Sequence, residues 1–364
     1  MRAEAEAAGF ALVGLAPLGP LERGAYLETW VAGGRAAEMG YLARRTAERI
    51  DPRLHWPWAR SVVSLAWPYA PPPPPPADWR ATLRGRIAAY ALGPDYHDRV
   101  AARLADLAAR LAAAYPGARF RGYVDTGPLL EREWAARAGL GWIGRNTLLL
   151  RRGSGSWFFL AELLTDLDAD PVPPAADHCG TCTRCHAACP TGALGPGYEM
   201  DPRRCIAYWT IEHRGPIPAA MRPALENWVF GCDVCQEVCP WNGDAAREAG
   251  RADELLPSLP ALLALDADGF RARFARTAVA RAKRRGLLRN VAVALGNSGN
   301  HAAVPPLAAA LATDPEPLVR AHAAWALGRL GGRTARDALE AAARRDADPL
   351  VAAEVAAALA AGGA

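Results

Sequence analysis

The eight cysteines of the chain fall into two tight groups and one isolated position, a spacing that indicates iron–sulfur chemistry. The first group reads C-x2-C-x2-C-x3-C-P and ends at Pro190, the second reads C-x2-C-x3-C-P and ends at Pro240, and one cysteine stands between them. In the first pattern three thiolates hold one cluster and the fourth crosses to another cluster. This crossover rule predicts two 4Fe-4S clusters. Cluster 1 is assigned Cys179, Cys182, Cys185 and Cys239, and cluster 2 is assigned Cys189, Cys205, Cys232 and Cys235.

Two other uses of eight cysteines compete with this interpretation. Disulfide bonds need an oxidising compartment, and the first twenty residues contain neither a long apolar core behind a basic start nor a twin-arginine signal. Two structural zinc sites could each take four cysteines, but zinc needs no third closely spaced cysteine with a proline-flanked fourth. Paired clusters relay single electrons, so the substrate chemistry should take place at another redox centre.

The segment from Val124 to Pro128 places a single acid at a tight turn and is the second candidate for chemistry. An apolar stretch leads into Asp125, Thr-Gly-Pro predicts a turn, and LEREWAARAG predicts a helix. An acid at such a junction can be partly desolvated, which raises its pKa and lets it donate a proton near neutral pH. The position also suits a turn or helix-capping residue, so the residues alone leave both roles open.

Cofactor signatures are few. No G-x-G-x-x-G segment stands at a strand–helix junction, which argues against a nicotinamide or flavin dinucleotide. The fragment Asp95-Tyr96-His97 begins like the D-x-H-x-x-G signature of cobalamin proteins that supply a histidine ligand, but Val100 stands where that signature has glycine. The residues alone therefore predict an electron relay attached to a further domain and do not identify a second cofactor.

The cysteines and Asp125 must be positioned by the folded regions of the chain, which differ in composition. Residues 1–170 mix apolar runs with amphipathic helical stretches, as expected of an α/β or α+β domain. The proline run at 71–76 predicts an extended surface connection within this region. Near the C-terminus, Leu295, Leu327 and Leu359 recur at a spacing of 32 residues, which indicates stacked helix pairs.

The distribution of charge and the lengths of the apolar runs limit the classes of function that the chain can have. The formal net charge of +4 decides nothing alone, but the stretch from Arg271 to Asn290 contains eight basic residues and no acidic one. Such a run is typical of a polyanion-binding surface or of a solvated helix face. No stretch approaches the roughly 18 continuous apolar residues of a membrane helix. Together with the absence of an export signal, these patterns predict a cytoplasmic protein without a membrane partner.

In their order along the chain, these motifs resemble the epoxyqueuosine reductase family, cobalamin-dependent enzymes that complete the queuosine modification of tRNA. Besides the eight cysteines, the motifs are MGYLARRTAERIDPR, ARSVVSLAWPY, YALGPDYH, VDTGPLLER, AGLGWIGRNT, GSWFFLAELL, IAYWTIEHRG, FGCDVCQEVCPWN and LLRNVAVALGN. The resemblance implies an α+β multidomain fold. Its expected parts are a nitroreductase-like α/β cobalamin domain at 1–170, a ferredoxin-like two-cluster domain at 171–255, and C-terminal α-helical HEAT-like repeats at 256–364 that bind tRNA.

The implied reaction is reduction of epoxyqueuosine, at the wobble position of the anticodon, to queuosine. By resemblance, the clusters reduce cobalamin and Asp125 protonates the departing oxygen. Electrons would come from an external donor of the flavodoxin or ferredoxin type, and we expect a monomer. Two alternatives are a corrinoid reductive dehalogenase, which would typically carry an export signal and no repeats, and a non-enzymatic iron–sulfur electron-transfer protein.

The same resemblance extends to two sets of binding residues. Corrin contacts are expected at Arg49, Tyr90, Asp95, Tyr96, His97, Asn146, Thr147 and Trp241. A tRNA substrate would also explain the basic run, because basic side chains that neutralise phosphates release counterions and so drive binding. This interpretation predicts phosphate contacts from Lys283, Arg284, Arg285 and Arg289, with Arg320 one repeat further along.

Overall fold

A computed structural model describes residues 1–71, 78–243 and 256–361. The chain forms two compact units, each assembled from separate segments. The first contains Met1–Pro71, Pro94–Arg203 and a segment that begins at Asp233, and the second contains a segment that ends at Gly93, Arg204–Cys232 and the C-terminal part. The domain boundaries at 170/171 and 255/256 stay a prediction, and residue 255 and prolines 72–76 lie outside the described residues.

The described strands are short except for two of eight residues. In chain order they are β1 Leu12–Pro17, β2 Ser61–Pro68, β3 Arg86–Ile87, β4 Phe120–Tyr123, β5 Trp142–Ile143, β6 Leu149–Leu150, β7 Phe158–Thr165, β8 Leu194–Gly195, β9 Glu199–Met200 and β10 Trp228–Phe230.

The longest described α-helix has 19 residues and lies in the first unit, and most of the other long helices lie in the C-terminal part. In chain order they are α1 Arg2–Ala7, α2 Gly24–Ala32, α3 Gly40–Ala43, α4 Thr46–Ile50, α5 Trp79–Thr82, α6 Tyr96–Ala114, α7 Glu131–Arg137, α8 Arg184–Ala188, α9 Val234–Glu237, α10 Leu259–Leu263, α11 Ala267–Phe274, α12 Lys283–Ser298, α13 Val304–Thr313, α14 Pro317–Leu330, α15 Arg333–Arg345 and α16 Pro349–Ala361.

A four-stranded antiparallel sheet, in the order β1-β2-β7-β4, is the centre of the first unit. Because side chains alternate along a strand, neighbouring residues of β7 point to opposite faces of the sheet. Leu164 packs with Trp134 and Ala135 of α7 on one face. Leu163 packs with Leu107 of α6 on the other face. The sheet therefore lies between two helices, and the loops at their N-terminal ends carry the candidate residues.

Helices α12 to α16 pack in succession in the second unit. A Cβ atom added at Gly296 of α12 would lie 2.9 Å from Cα of Ala326, and one added at Gly328 of α14 would lie 2.9 Å from Cα of Ala358. The leucine before each glycine is fully buried. The two close helix contacts are thus one sequence repeat apart, as expected for stacked helix pairs that share one core.

Candidate active site and cluster sites

The four cysteines predicted to hold cluster 1 line one cavity of about 240 Å³, although they come from two separate stretches of chain. Cys179, Cys182 and Cys185 enter from the loop before α8 and from α8 itself, and Cys239 enters after α9. No disulfide joins any of the eight cysteines, all of which lie in the described part of the chain. The structure therefore brings this predicted set together around a space and leaves its thiols available as ligands.

Polar and aromatic contacts fix the walls of this cavity. The backbone N–H of Cys179 donates to Asp177, whose other carboxylate oxygen accepts from the Tyr198 hydroxyl. Arg145 donates to the carbonyl of Gly180 at 2.9 Å. Trp241, a predicted corrin contact, lies edge-on to Trp142 and lines this cavity. These contacts restrain the loop that carries the first two cysteines and so keep their thiols beside the cavity.

The predicted ligands of cluster 2 are divided between the two compact units. Cys189 and Cys235 belong to the first unit, whereas Cys205 and Cys232 belong to the second. Burial raises the pKa of Cys189, but hydrogen bonds from Thr191 and from the backbone outweigh it and bring that pKa below its usual value. A lowered pKa favours the thiolate form that binds iron. The assignment of these four cysteines to one cluster stays a prediction.

Asp125 lies on an open loop in a left-handed backbone conformation, with a φ of 54°. Its backbone N–H donates to Oε1 of Glu131 at 2.6 Å, and its Oδ2 accepts from the Tyr96 hydroxyl at 2.9 Å. The side chain is 63% exposed, so the expectation that Asp125 is desolvated is wrong for this form of the protein. This carboxyl accepts a hydrogen bond from Tyr96, and Glu131 holds the backbone of its loop. Because it is also open to solvent, it can deliver a proton to a bound molecule.

The neighbours of Asp125 at the start of α6 are ordered by stacking and by charge. The ring of Tyr96 stacks on Phe159 at a centroid distance of 4.4 Å and also contacts the ring of His97. His97 lies between two carboxylates, with Nδ1 2.8 Å from Asp95 and Nε2 3.7 Å from Asp125. The contact with Asp125 and then that with Asp95 raise the pKa of His97 against the opposing effect of burial.

Glu131, at the start of α7, is a residue that the sequence interpretation missed. Burial, and then the charge of Asp125, raise the pKa of this carboxyl to about 8. The next residue, Arg132, donates to the carbonyl of Thr147 at 2.5 Å, and Thr147 itself is left-handed. The two strained loops, at 125 and 147, are therefore both tied to the first turn of α7.

The remaining predicted corrin contacts do not all surround Asp125. Arg49 responds to the charges of Asp125 and Glu131, although burial is the main reason that its pKa is lowered. The buried Nε of Arg49 has no hydrogen-bond partner in the described residues. Asn146 instead donates to the carbonyl of Cys235, and Tyr90 belongs to the second unit. A donor without a partner beside an open acid fits a polar group of a bound cofactor.

Comparison with known proteins decides the family. Models described as "Epoxyqueuosine reductase QueG, DUF1730", "4Fe-4S double cluster binding domain" and "HEAT repeats" match residues 49–126, 178–242 and 275–360. An epoxyqueuosine reductase of Xanthomonas campestris is 40% identical over 89% of this chain and 94% of its own length. One of Pseudomonas aeruginosa is 41% identical over 87% of this chain and 90% of its own. The chain belongs to the epoxyqueuosine reductase family. It is an oxidoreductase with a 4Fe-4S double-cluster segment, as the motifs predicted.

Solved structures of epoxyqueuosine reductases have the same fold as this chain over nearly its full length. One from Bacillus subtilis, described as having its catalytic aspartate loop swung out of the active site, has a TM-score of 0.91 at 28% identity and covers 99% of this chain and 97% of its own. Another, with an epoxyqueuosine-modified tRNA-Tyr stem loop, has a TM-score of 0.90 at 29% identity and covers 100% and 98%. The predicted fold class is confirmed.

The epoxyqueuosine reductase fold corrects the predicted tRNA contacts. Arg289 is fully buried and donates to backbone carbonyls, so it cannot contact a phosphate without unfolding its surroundings. Arg284 pairs with Asp314 at 2.5 Å and Arg320 pairs with Asp346 at 2.6 Å, and both arginine side chains are only 16% exposed. Those carboxylates neutralise the two charges, so these predictions were wrong as well. Lys283 and Arg285 are exposed and stay predictions.

Within the described residues, none of the helices combines the length and apolar character needed to cross a membrane.

Proposed function

We propose that this protein reduces epoxyqueuosine to queuosine at the wobble position of a tRNA anticodon. The observation that carries the proposal is the placement of Asp125 in a chain of the epoxyqueuosine reductase family. Its open carboxyl accepts from Tyr96, and Glu131 holds its backbone N–H. In the reaction both epoxide C–O bonds break, a C=C bond forms, and the oxygen leaves as water. Two electrons and two protons are consumed.

Asp125 would act as the general acid. An alkoxide is a poor leaving group at neutral pH, so a proton must reach the oxygen as its bond to carbon breaks. The Tyr96 hydroxyl orients the carboxyl through its hydrogen bond to Oδ2, and the stacked Phe159 keeps Tyr96 in place. A protonated His97 would favour the carboxylate that remains after donation, because its Nε2 lies 3.7 Å from Oδ2 and its pKa is raised by Asp125.

Cobalamin is the cofactor that membership of this family implies. Bound there, it supplies low-valent cobalt that passes electrons to the substrate. Arg49, Asp95, Tyr96, His97 and Thr147 are the residues of the first unit that we expect to hold it near Asp125. Three further corrin contacts stay predictions that the geometry supports less well, because these residues have other neighbours in the structure. They are Asn146, Tyr90 and Trp241.

The clusters would bring the electrons. We assign Cys179, Cys182, Cys185 and Cys239 to cluster 1 and Cys189, Cys205, Cys232 and Cys235 to cluster 2. Gly180 and Thr181 are exposed beside the cavity of cluster 1, which gives an external flavodoxin- or ferredoxin-type donor a point of approach. The protein would act as a monomer in the cytoplasm, where its tRNA substrate and such donors are present.

The tRNA surface would include Lys283 and Arg285, together with Arg276. These three side chains are exposed, and none has a carboxylate within 4 Å among the residues that the structure describes. They lie on or just before α12, so their charges can meet the phosphates of one RNA strand. Phosphate contacts of this kind supply affinity and register rather than recognition of the modified base.

Nucleoside analysis of tRNA tests the proposal. Anaerobically reduced protein with cobalamin should convert epoxyqueuosine in a tRNA stem loop to queuosine. Asp125→Asn keeps the shape of the side chain but cannot donate an acidic proton, so we expect the rate to fall by about 10²–10⁴-fold. Asp98→Asn, an exposed change in the first turn of α6, is the matched control and should retain activity. Full activity of Asp125→Asn would exclude the acid role, and absence of conversion by the unchanged protein would exclude the function.

A further inference from the structure

Two arginines line the cavity predicted to hold cluster 1, and none of the described residues in its wall is acidic. They are Arg145, on the loop between β5 and β6, and Arg184, the first residue of α8. A 4Fe-4S cluster with four thiolate ligands is an anion, and its reduction adds one more negative charge. Net charge and hydrogen bonds to sulfur set the reduction potential of such a cluster, so cations in the wall affect how easily it takes up an electron.

Arg145 is held against the segment that carries the first three cysteines. Its Nη2 donates to the carbonyl of Gly180, the residue after the first of these cysteines, at 2.9 Å. Its own carbonyl lies 3.4 Å from Nε2 of His186, the residue after the third. The side chain and the backbone of Arg145 thus contact two parts of one ligand segment, which fixes the guanidinium beside the predicted ligands.

Most N–H groups of the Arg145 guanidinium stay free for another partner. Its buried Nε has no hydrogen-bond partner in the described residues, and within them Gly180 is the only acceptor of this side chain. No described carboxylate lies within 4 Å of the half-buried Arg145. The nearby acid Asp177 instead accepts from the Cys179 N–H and the Tyr198 hydroxyl. The guanidinium therefore keeps both its charge and its spare donors for the contents of the cavity.

Arg184 lines the same cavity but differs from Arg145 in burial. The residue is exposed, whereas Arg145 is half-buried. Water and salt screen an exposed charge strongly and a partly buried charge much less. The chain thus offers two cations at one cavity, and a comparison of the two separates the effect of a held guanidinium from that of charge in general.

We propose that Arg145 raises the reduction potential of cluster 1 by its charge and by donating a hydrogen bond to a sulfur atom of the cluster. The inference rests on the proposed function, in which electrons from an external flavodoxin- or ferredoxin-type donor enter at cluster 1. In that step one electron leaves the reduced donor, which becomes oxidised, and enters the cluster, and no covalent bond breaks. Arg145 stabilises the reduced form more than the oxidised form, because the reduced form carries the larger negative charge. It therefore favours the entry of electrons and takes no part in proton transfer at Asp125.

A redox titration followed by electron paramagnetic resonance tests the proposal. The sample is the full chain with both clusters and without tRNA, reduced stepwise with dithionite. Arg145→Met nearly keeps the length of the side chain but removes its charge and all its donors. We expect the equilibrium constant for reduction of one cluster to fall about tenfold, which lowers its potential by about 59 mV. The other cluster should change by less than about twofold. Unchanged potentials in a variant that retains both clusters would overturn the proposal.

Two further variants separate the held guanidinium from charge in general. Arg184→Met should change either equilibrium constant by less than about twofold, and a shift as large as that of Arg145→Met would overturn the assignment to Arg145. Arg145→Lys keeps the charge, but one ammonium nitrogen cannot serve both the Gly180 carbonyl and a sulfur atom as the arms of a guanidinium can, so we expect a fall of about threefold. If iron analysis shows that Arg145→Met has lost a cluster, Arg145→Lys decides, and an unchanged potential there would overturn the hydrogen bond.

Pulsed electron paramagnetic resonance gives a second readout that does not depend on turnover. With isotopically labelled guanidinium nitrogen, the reduced protein should show a hyperfine coupling between a cluster and an arginine nitrogen. The coupling should disappear in Arg145→Lys and persist in Arg184→Met. Its absence from the unchanged protein, or its persistence in Arg145→Lys, would overturn the proposal. Failure of the proposed function itself would appear separately, as a lack of epoxyqueuosine reduction by the unchanged protein whatever its cluster potentials are.

Discussion

Replacement of Arg289 by methionine should destabilise the second unit without a direct effect on RNA charge contacts. The guanidinium is completely buried and donates to the carbonyls of Trp209, His213 and Gly215 at 2.6, 2.9 and 2.7 Å. It also holds the amide oxygen of Asn290, whose own amide group donates to Thr210 and Val229. One side chain thus organises the backbone that follows the predicted cluster ligand Cys205.

The magnitude follows from the bonds that methionine cannot make. Hydrogen bonds from a charged donor contribute about 1.5–3 kcal/mol each, and each orphaned buried acceptor costs about 1–3 kcal/mol. Methionine recovers some apolar packing, and water can reach part of the loop. Three carbonyls and one amide oxygen lose a buried donor, and after these offsets we expect the free energy of unfolding to fall by about 3–5 kcal/mol.

Urea unfolding of the anaerobic holoprotein, followed by circular dichroism, measures the change in stability. Arg285→Met is the control, because Arg285 lies on the same helix but is exposed, and such surface changes usually stay within about 0.5 kcal/mol. A decrease below about 1 kcal/mol for Arg289→Met, together with weakened stem-loop binding, would refute the reasoning. It would mean that Arg289 reaches solvent and contacts phosphate after all.

Three further predictions address the repeats, the clusters and the RNA surface. Gly328→Leu should cost about 1–3 kcal/mol in urea unfolding, because its Cβ would lie 2.9 Å from Cα of Ala358, a backbone atom that cannot move aside; an equal stability would contradict the close packing. Cys239→Ser should lower the iron content of the anaerobic protein by roughly half, and full occupancy of both clusters would remove Cys239 from the ligand set. Lys283→Ala with Arg285→Ala should reduce the slope of log K against log salt by ~0.7–0.9 for each phosphate that the variant no longer neutralises, and an unchanged slope would exclude both residues from the RNA surface.

The cluster ligands could be predicted because most of them are identified by their spacing within short stretches of sequence. Cys179, Cys182 and Cys185 are close in sequence, and the spacing alone places their thiolates around one space. Asp125 was found for a similar reason, since a turn signal follows an apolar stretch. The crossover of Cys239 into the same cavity is a tertiary contact, and it could be predicted only because cluster pairs follow a known rule.

The basic run misled the sequence interpretation because charge along a chain does not report exposure. Residues 286–296 of α12 are buried on all sides, so the helix has no polar stripe by which its outer face could be recognised. Arg289 lies within this buried stretch and Arg285 just outside it. The carboxylates that neutralise Arg284 and Arg320 follow 30 and 26 residues later, and the stacking of the repeats brings them close.

Glu131 was missed, and so was Glu162 of β7, whose pKa is raised well above its usual value by burial and then by the charge of Glu131. Strand pairing and helix packing bring these two acids close enough to interact. One signal was present: the strand FFLAELLT carries a single acid among apolar residues, and a charge in a strand that is buried on both faces is unusual. The proximity of Glu131 to that acid could not be predicted, because the sequence of α7 does not indicate which face of which sheet the helix covers.

The left-handed backbone at Asp125 has a consequence for attempts to make this protein more robust. A residue with a Cβ atom in that conformation costs roughly 1 kcal/mol relative to glycine, so Asp125→Gly should relieve this backbone strain while it removes the proposed acid. Directed evolution that selects for heat resistance alone would therefore tend to discard the acid. Libraries built from this scaffold should keep position 125 fixed, or should couple every thermal selection to a screen for queuosine.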